Sequence, residues 1–148
     1  MSKQFSELGI SNPLVQALTE LNIVVPTEIQ QKTIPQLLAN TTDIVGLAKT
    51  GTGKTAAFGL PLLQLINPEL STVQAVILVP TRELGHQIYS NLEGFSKYLK
   101  NVSIAATCGG IPIKPQIERL KEPTHIVVAT PGRLIDLIQR KAINLKET

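Results

Sequence analysis

The chain has 148 residues, 43% of them hydrophobic, and a formal net charge of +3. This length suits one domain with a single core, and the dispersed charge permits an anionic partner without requiring one. A single cysteine, Cys108, excludes an intramolecular disulfide and a cysteine zinc site, which favours a reducing environment. No signal-peptide core and no apolar run near the roughly 18 residues of a membrane span is found. We therefore expect a cytoplasmic protein with no membrane partner.

Two short helices are predicted near the start of the chain. Asn12 is expected to cap the first helix, with Pro13 at its first helical position. Thr27 is expected to cap the second helix, and Pro35 with the leucines after it to close it. We expect residues 1–40 to form N-terminal helices packed on the same domain as residues 41–148.

Short apolar runs then alternate with longer segments of helical period. Strands are predicted from Asp43 to Leu47, Ala75 to Val79, Val102 to Thr107 and His125 to Ala129. Helices are predicted from Lys54 to Ile66, Arg82 to Tyr98, Ile111 to Leu120 and Pro131 to Gln139. Repeated strand-helix units predict an α/β fold with three layers around a parallel sheet.

A glycine-rich loop follows the first predicted strand and opens a helix; its residues are Ala48, Lys49, Thr50, Gly51, Thr52, Gly53, Lys54 and Thr55. Gly51 and Gly53 free the backbone to wrap a phosphate, and Lys54 adds a charge for the β and γ phosphates. Thr55 offers a hydroxyl to Mg²⁺. A plain connecting loop is the alternative, but it would not need this lysine and threonine. The loop predicts a nucleotide with Mg²⁺ as ligands, and Lys54 and Thr55 as catalytic residues.

Two arginines lie in the first turns of predicted helices, at the edge of the sheet where parallel strands end. Thr81 and Thr130 can cap those helices, and Pro131 fits a first helical position. Arg82 and Arg133 would oppose the helix dipole unless an anion lies nearby, which favours phosphate binding over a solvated surface role.

The phosphate loop and four further segments resemble, in order and approximate spacing, the DEAD-box family of ATP-dependent RNA helicases. The four segments are Pro26-Thr27-Glu28-Ile29-Gln30, Pro80-Thr81-Arg82-Glu83-Leu84, Gly109-Gly110 and Thr130-Pro131-Gly132-Arg133. They look like the end of the Q motif, motif Ia, the glycine doublet and the next RNA-binding motif. The resemblance implies a RecA-like P-loop domain from an enzyme that unwinds short RNA duplexes with ATP.

The resemblance also implies the partners. Single-stranded or duplex RNA would bind through its backbone, without base selection. The implied RNA contacts are Pro80, Thr81, Arg82, Gly109, Gly110, Thr130, Pro131, Gly132 and Arg133. A second RecA-like domain of the parent chain would complete the enzyme.

Two readings of Gln30 stay open. The family's Q-motif glutamine reads the adenine edge and an upstream aromatic stacks on the base, which implies Gln30 and Phe5 as adenine contacts. However, Thr27-x-x-Gln30 is also a capping box, in which Gln30 bonds back to its own helix start. The family usually has glycine and an aromatic where this chain has Asn22 and Ile23, and often alanine at Gly85.

The three other side chains that could carry chemistry are expected to be structural. His86 and His125 lack metal-ligand spacing, and Cys108 is expected to pack as a small side chain.

The carboxylates that a P-loop hydrolase needs are missing from the sequence. Its only aspartates are Asp43, at the start of a predicted strand, and Asp136, inside a predicted helix. In the family, the Asp-Glu-Ala-Asp motif would follow beyond Thr148. We therefore expect a fragment that binds nucleotide but does not hydrolyse it. Another P-loop enzyme, such as a nucleotide kinase, and a non-catalytic RNA-binding or partner-binding module are the alternatives.

Overall fold

The computed structural model describes residues 4–39 and 43–148, which fall into two compact units. The first unit holds the described residues up to Leu65 together with Asn91–Leu99, and the second holds Ile66–Ser90 and Lys100–Thr148. The boundary expected between residues 40 and 41 lies outside the described residues and stays a prediction. Among the described residues, no helix has the length and apolar character needed to cross a bilayer.

The first unit is helical. Its elements are a short 3-10 helix, Ser6–Leu8, followed by α1, Asn12–Glu20, α2, Glu28–Ala39, and α3, Lys54–Leu65. Its interior is apolar, with fully buried side chains that include Leu14, Leu18, Ile34, Leu60 and Leu92. Burial of this kind stabilises short helices that would be marginal alone.

Two helix ends differ from the prediction. Ser11, and not Asn12, is the N-cap of α1, although its side chain makes no capping hydrogen bond. The second helix was predicted to close at Pro35 with Leu37 and Leu38; Pro35 lies inside α2, which runs through both leucines to Ala39. A proline removes one N–H donor from a helix, and the complete burial of neighbouring Ile34 helps to offset that loss.

Asn22 closes α1 in the left-handed conformation, with φ of 58°. The Asn22 N–H donates to the Thr19 carbonyl over 3.0 Å, and the Ile23 N–H donates to the Leu18 carbonyl over 2.9 Å. This pattern is a Schellman C-cap, whose left-handed residue is usually glycine and sometimes asparagine. Asparagine is thus compatible with the backbone at position 22, where the family usually has glycine.

The second unit is built around a parallel sheet of three strands: β1, Ala75–Leu78, β2, Ile104–Thr107, and β3, Ile126–Ala129. Their order is β1-β3-β2, so the strand that comes last in the chain lies in the centre. Three helices accompany them: α4, Arg82–Phe95, which ends in the first unit, α5, Lys114–Lys121, and α6, Pro131–Gln139. All four residues of β3 are fully buried, as expected for a central parallel strand.

The predicted strand from Asp43 to Leu47 is not formed. The segment has no regular structure, and Val45 and Leu47 are 86% and 90% exposed. A strand is stabilised by a neighbour that supplies ladder hydrogen bonds, and among residues 4–39 and 43–148 none pairs with this segment. Its apolar, β-branched composition alone therefore gave the wrong prediction.

His125 holds the strands together where they begin. Its Nδ1 accepts the Ser103 N–H over 2.9 Å, and its carbonyl accepts the Gln74 N–H over 2.8 Å. The ring is 2% exposed. These contacts agree with the structural role predicted for this histidine.

Candidate phosphate-binding sites

The loop before α3 takes its shape from two glycines. Gly51 and Gly53 have φ of 76° and 82°, in the left-handed region that favours glycine. The Thr52 hydroxyl donates to the Lys49 carbonyl and the Lys54 ammonium to the Ala48 carbonyl, each over 2.7 Å. The loop is thus closed on itself, with an exposed lysine at the start of α3.

A groove of about 570 Å³ lies between this loop and the beginning of α2. The loop side of the groove includes Ala48, Lys49, Gly51 and Thr52, and the helix side includes Thr27. All of these residues belong to the first unit. The groove is large enough for part of a nucleotide whose phosphates lie on the loop.

Gln30 connects α2 to the phosphate loop. Its Oε1 accepts the Thr27 N–H over 2.9 Å, and its Nε2 donates to the Gly53 carbonyl over 3.0 Å. The Thr27 hydroxyl donates to the Thr52 carbonyl over 2.8 Å instead of capping α2. Half of the predicted capping box is therefore formed, while the threonine half bonds to the phosphate loop.

Gly53 is confined by that contact. A Cβ on Gly53 would lie 2.3 Å from Gln30 Nε2, closer than any non-bonded contact allows. Any other residue at position 53 would need both an unfavourable φ and displacement of the Gln30 amide.

Phe5 and Gln30 do not share an exposed surface in this conformation. Each side chain is 2% exposed, and the Gln30 carboxamide already bonds to backbone on both sides. An adenine ring could contact Phe5 only after the surrounding side chains moved. The adenine-binding roles of these two residues stay predictions.

Thr55 is the predicted magnesium residue on the loop, and its side chain is half-buried at the start of α3. Within the described ranges, no three His, Cys, Asp or Glu side chains form a metal-binding group. Asp43 is exposed, and Asp136 lies in α6 in an ion pair with Arg140 at 2.7 Å. Among the described residues, Mg²⁺ therefore fits this site through the Thr55 hydroxyl together with nucleotide phosphate and water.

Three segments of the second unit follow β1, β2 and β3 at the carboxyl edge of the sheet. Thr81 accepts the Leu84 N–H over 3.3 Å and so caps α4 as predicted. Thr130 instead accepts the Gly109 N–H over 2.9 Å and makes no capping bond to α6. The prediction that the Thr130 side chain caps its helix is wrong, and the first turn of α6 keeps N–H groups that this hydroxyl does not use.

Both predicted arginines bond to the glycine-doublet loop. Arg82 donates to the Gly110 carbonyl over 3.4 Å and lies 3.6 Å from the Glu83 carboxylate. Arg133 donates to the Ile111 carbonyl over 2.7 Å. Gly110 has φ of 84°, and a Cβ there would lie 3.2 Å from the Arg82 guanidinium. The second glycine of the doublet thus leaves room for Arg82.

Gln116 is a member of this site that sequence reasoning missed. Its side chain is 6% exposed; Oε1 accepts from Arg133 over 2.6 Å, and Nε2 donates to the Cys108 carbonyl over 3.0 Å. The only hint in the sequence is a glutamine within an otherwise ordinary helical segment after the glycine doublet. Neither spacing nor composition indicates that it is buried.

Cys108 packs against α4 at the end of β2. Burial raises the pKa of its thiol, an effect that the Thr130 backbone and the two arginines partly oppose. A thiol with a raised pKa is a poor nucleophile, which agrees with the packing role predicted for Cys108. A Cβ at Gly85 would lie 2.5 Å from its sulfur, so glycine in place of the family's alanine provides space for this side chain.

The comparisons with known proteins are consistent with one another. A family model described as DEAD/DEAH box helicase matches residues 27–148. The chain is 43% identical over 143 residues to the ATP-dependent RNA helicase DeaD of Escherichia coli K12, covering 97% of this chain and 23% of that protein. It is 46% identical over 144 residues to the DEAD-box ATP-dependent RNA helicase CshA of Streptococcus pneumoniae, covering 97% and 27%. The chain spans about a quarter of the length of these curated relatives.

Solved structures match the whole fold. A DEAD box protein from the hyperthermophile Methanococcus jannaschii aligns with a TM-score of 0.91 at 42% identity, covering 100% of this chain and 40% of that one. Saccharomyces cerevisiae Dbp5, solved with RNA and ADP BeF3, aligns with a TM-score of 0.88 at 31% identity, covering 99% and 36%. The predicted RecA-like α/β fold with a parallel sheet is confirmed. The chain belongs to the DEAD/DEAH box helicase family.

Proposed function

We propose that the chain is the nucleotide-binding part of an ATP-dependent RNA helicase, binding ATP or ADP with Mg²⁺ in its first unit and the RNA backbone in its second. The observation that carries the proposal is the phosphate loop, in which both glycines have positive φ and Lys54 begins the following helix. Family membership and the names of the relatives support it.

Different residues of the loop bind different parts of the nucleotide and its metal ion. Backbone N–H groups from Gly51 to Thr55 surround the β-phosphate, and Lys54 exchanges its bond to the Ala48 carbonyl for phosphate oxygens. Thr55 would hold Mg²⁺ through its hydroxyl, and the ion would neutralise phosphate charge when bound. Gln30 keeps Gly53 in place while this exchange occurs.

The RNA backbone binds at the carboxyl edge of the sheet, most strongly at the start of α6. A Cβ on Gly132 would contact nothing within 4 Å, so a phosphate can approach the backbone there closely. The uncapped first turn of α6 and the Arg133 charge both favour an anion. Backbone contacts of this kind position a strand without reading its bases.

In the parent protein, ATP and single-stranded RNA together close two RecA-like domains and bend the strand, so that a short duplex opens. Hydrolysis then releases the clamp. This activity, the second domain and the cytoplasmic location extend beyond the chain described and are part of the proposal.

The nucleotide role is tested with Lys54→Ala. Loss of a charge-assisted hydrogen bond should weaken ADP binding by about 1.5 to 3 kcal/mol without unfolding the chain. Titration calorimetry measures the affinity and circular dichroism checks the fold. Lys100→Ala, at an exposed position in the second unit, is the control. An unchanged ADP affinity in the Lys54 variant would refute its phosphate role.

The RNA role is tested by the salt dependence of binding to single-stranded RNA. Each phosphate neutralised contributes about 0.7 to the slope of log affinity against log salt, so Arg133→Ala should lower the slope by up to about 0.7. Arg82→Ala should lower it less, because Glu83 already compensates part of its charge. Both variants should weaken different RNA sequences by similar factors.

The control for the arginines is Arg140→Ala, which removes a charge paired with Asp136 at the far end of α6. Wild-type slopes in both the Arg133 and Arg82 variants would refute the phosphate assignment for this edge. A loss that depends on base sequence would refute backbone contact.

A further inference from the structure

Gln116 is the buried polar side chain that joins the two halves of the proposed RNA edge. The glycine-doublet segment, Cys108 to Ile111, follows β2, and the Arg133 segment begins α6 after β3. The Gln116 carboxamide bonds to both, over 3.0 Å to the Cys108 carbonyl and 2.6 Å to the Arg133 guanidinium. Two further hydrogen bonds join the segments directly. Arg133 donates to the Ile111 carbonyl, and Thr130 accepts from the Gly109 N–H.

The two partners fix which way the amide points. A guanidinium has only donors, so it must face the Gln116 oxygen, and a carbonyl has only acceptors, so it must face the nitrogen. Glutamine provides both functions from one planar group, which neither glutamate nor methionine can do. The side chain is 6% exposed, so water does not replace a missing partner at low cost.

The neutrality of the acceptor also matters for the charge of Arg133. Among the described residues, the Arg133 guanidinium donates hydrogen bonds to the Gln116 side-chain oxygen and the Ile111 backbone carbonyl, and both acceptors are uncharged. Arg133 is therefore held in one orientation while its positive charge stays available. A carboxylate at position 116 would hold the same guanidinium but would compensate its charge, and so would compete with an RNA phosphate.

We propose that Gln116 is a positioning residue for RNA binding: it holds Arg133 against the glycine-doublet loop through a neutral acceptor and leaves the arginine charge for a phosphate. The proposal rests on the RNA role proposed above for Arg133. Gln116 itself does not contact RNA, and it affects the strand only through Arg133 and the loop.

Two substitutions separate charge from geometry. Gln116→Glu keeps an acceptor for Arg133 but adds a negative charge, so the salt slope should fall by about 0.7, as in Arg133→Ala. Gln116→Met keeps the shape and the arginine charge but removes both hydrogen bonds. It should weaken RNA binding about three- to tenfold, because Arg133 loses its fixed orientation but keeps its charge, with the slope unchanged.

The experiment measures fluorescence anisotropy of a labelled oligouridine with the full chain over a range of salt concentrations. Gln139→Glu, at an exposed position on α6, gives the same charge change away from Arg133 and should keep the wild-type slope. In the double variant Gln116→Glu/Arg133→Ala, the slope should fall no further than in Arg133→Ala alone, because both changes remove the same phosphate contact. Thermal melting of each variant gives its stability independently.

The outcomes distinguish failure of the Gln116 proposal from failure of the RNA role proposed for Arg133. If Arg133→Ala keeps the wild-type slope, the RNA role of the edge fails and the role of Gln116 fails with it. If Arg133→Ala lowers the slope and Gln116→Glu does not, only the Gln116 proposal is overturned. Equal weakening in the Glu and Met variants, in proportion to lost stability and with unchanged slopes, would show that Gln116 serves only folding.

Discussion

At the residue scale, one carboxamide in the first unit has two functions that are usually separate. Gln30 accepts an N–H from its own helix start and donates to the phosphate loop. The capping box predicted from the sequence accounts for the first contact only. The second contact links the beginning of α2 to the loop that is proposed to bind phosphate.

Gln30→Glu is expected to weaken ADP and GDP by similar factors. A carboxylate keeps the bond from the Thr27 N–H but faces the Gly53 carbonyl without a proton, so the loop loses its support. Calorimetry with both nucleotides at mildly alkaline pH makes the measurement, with Gln36→Glu, at an exposed position on the same helix, as control. A loss confined to ADP would show instead that Gln30 reads the base.

The sequence predicted those parts of the candidate site that are formed by consecutive residues. The two left-handed glycines and the helix that begins at Lys54 follow from a contiguous pattern. Two contacts do not follow from it: the Gly109 N–H that bonds to Thr130, and the Arg133 guanidinium that bonds to Gln116, because in each pair the two residues belong to different strand-helix units. A hydroxyl before a helix caps it only if no other donor binds that hydroxyl first. The Thr130 hydroxyl accepts the Gly109 N–H instead, and this donor comes from a distant part of the sequence.

At the element scale, α4 approaches the sheet closely enough that one methyl group matters. Gly85→Ala is expected to destabilise the chain by about 1 to 3 kcal/mol, since its Cβ would lie 2.5 Å from the Cys108 sulfur and 3.1 Å from a Val79 methyl. Urea unfolding measures the change. Adding Cys108→Ala should recover part of the loss, because it removes the sulfur.

Gly94→Ala is the control for that change on the same helix. Its Cβ would meet only Leu21, at an ordinary 3.5 Å, so the better helix propensity of alanine should stabilise by about 0.5 to 1 kcal/mol. Equal effects at positions 85 and 94 would contradict the contact with Cys108.

Most elements were predicted because hydrophobic period and turn residues identify them locally. All four helices expected after residue 50 form, as do β1, β2 and β3, with ends that shift by up to three residues. The segment from Asp43 to Leu47 shows the limit of that method. Apolar, β-branched composition indicates that a segment can form a strand. The strand forms only where a neighbouring strand supplies hydrogen bonds.

At the scale of the whole molecule, nucleotide binding and hydrolysis should be separable. The chain has a phosphate loop but only two aspartates, one exposed and one paired with Arg140 in α6. We expect the purified chain to bind ADP yet to show no steady ATP turnover, with or without RNA, because within residues 4–39 and 43–148 no three His, Cys, Asp or Glu side chains form a metal-binding group. A phosphate-release assay with Lys54→Ala as the blank measures this. Turnover above that blank would require a catalytic carboxylate that we have not identified.

The strand order β1-β3-β2 also determines when the sheet can form during synthesis. β1 and β2 do not pair with each other, and both take their hydrogen bonds from β3, which is translated last of the three. Two apolar strands therefore leave the ribosome before their common partner exists, and non-local pairing of this kind is slow to form. Until Ile126–Ala129 has emerged, the segments that will become β1 and β2 keep backbone N–H and C=O groups with which other chains can pair.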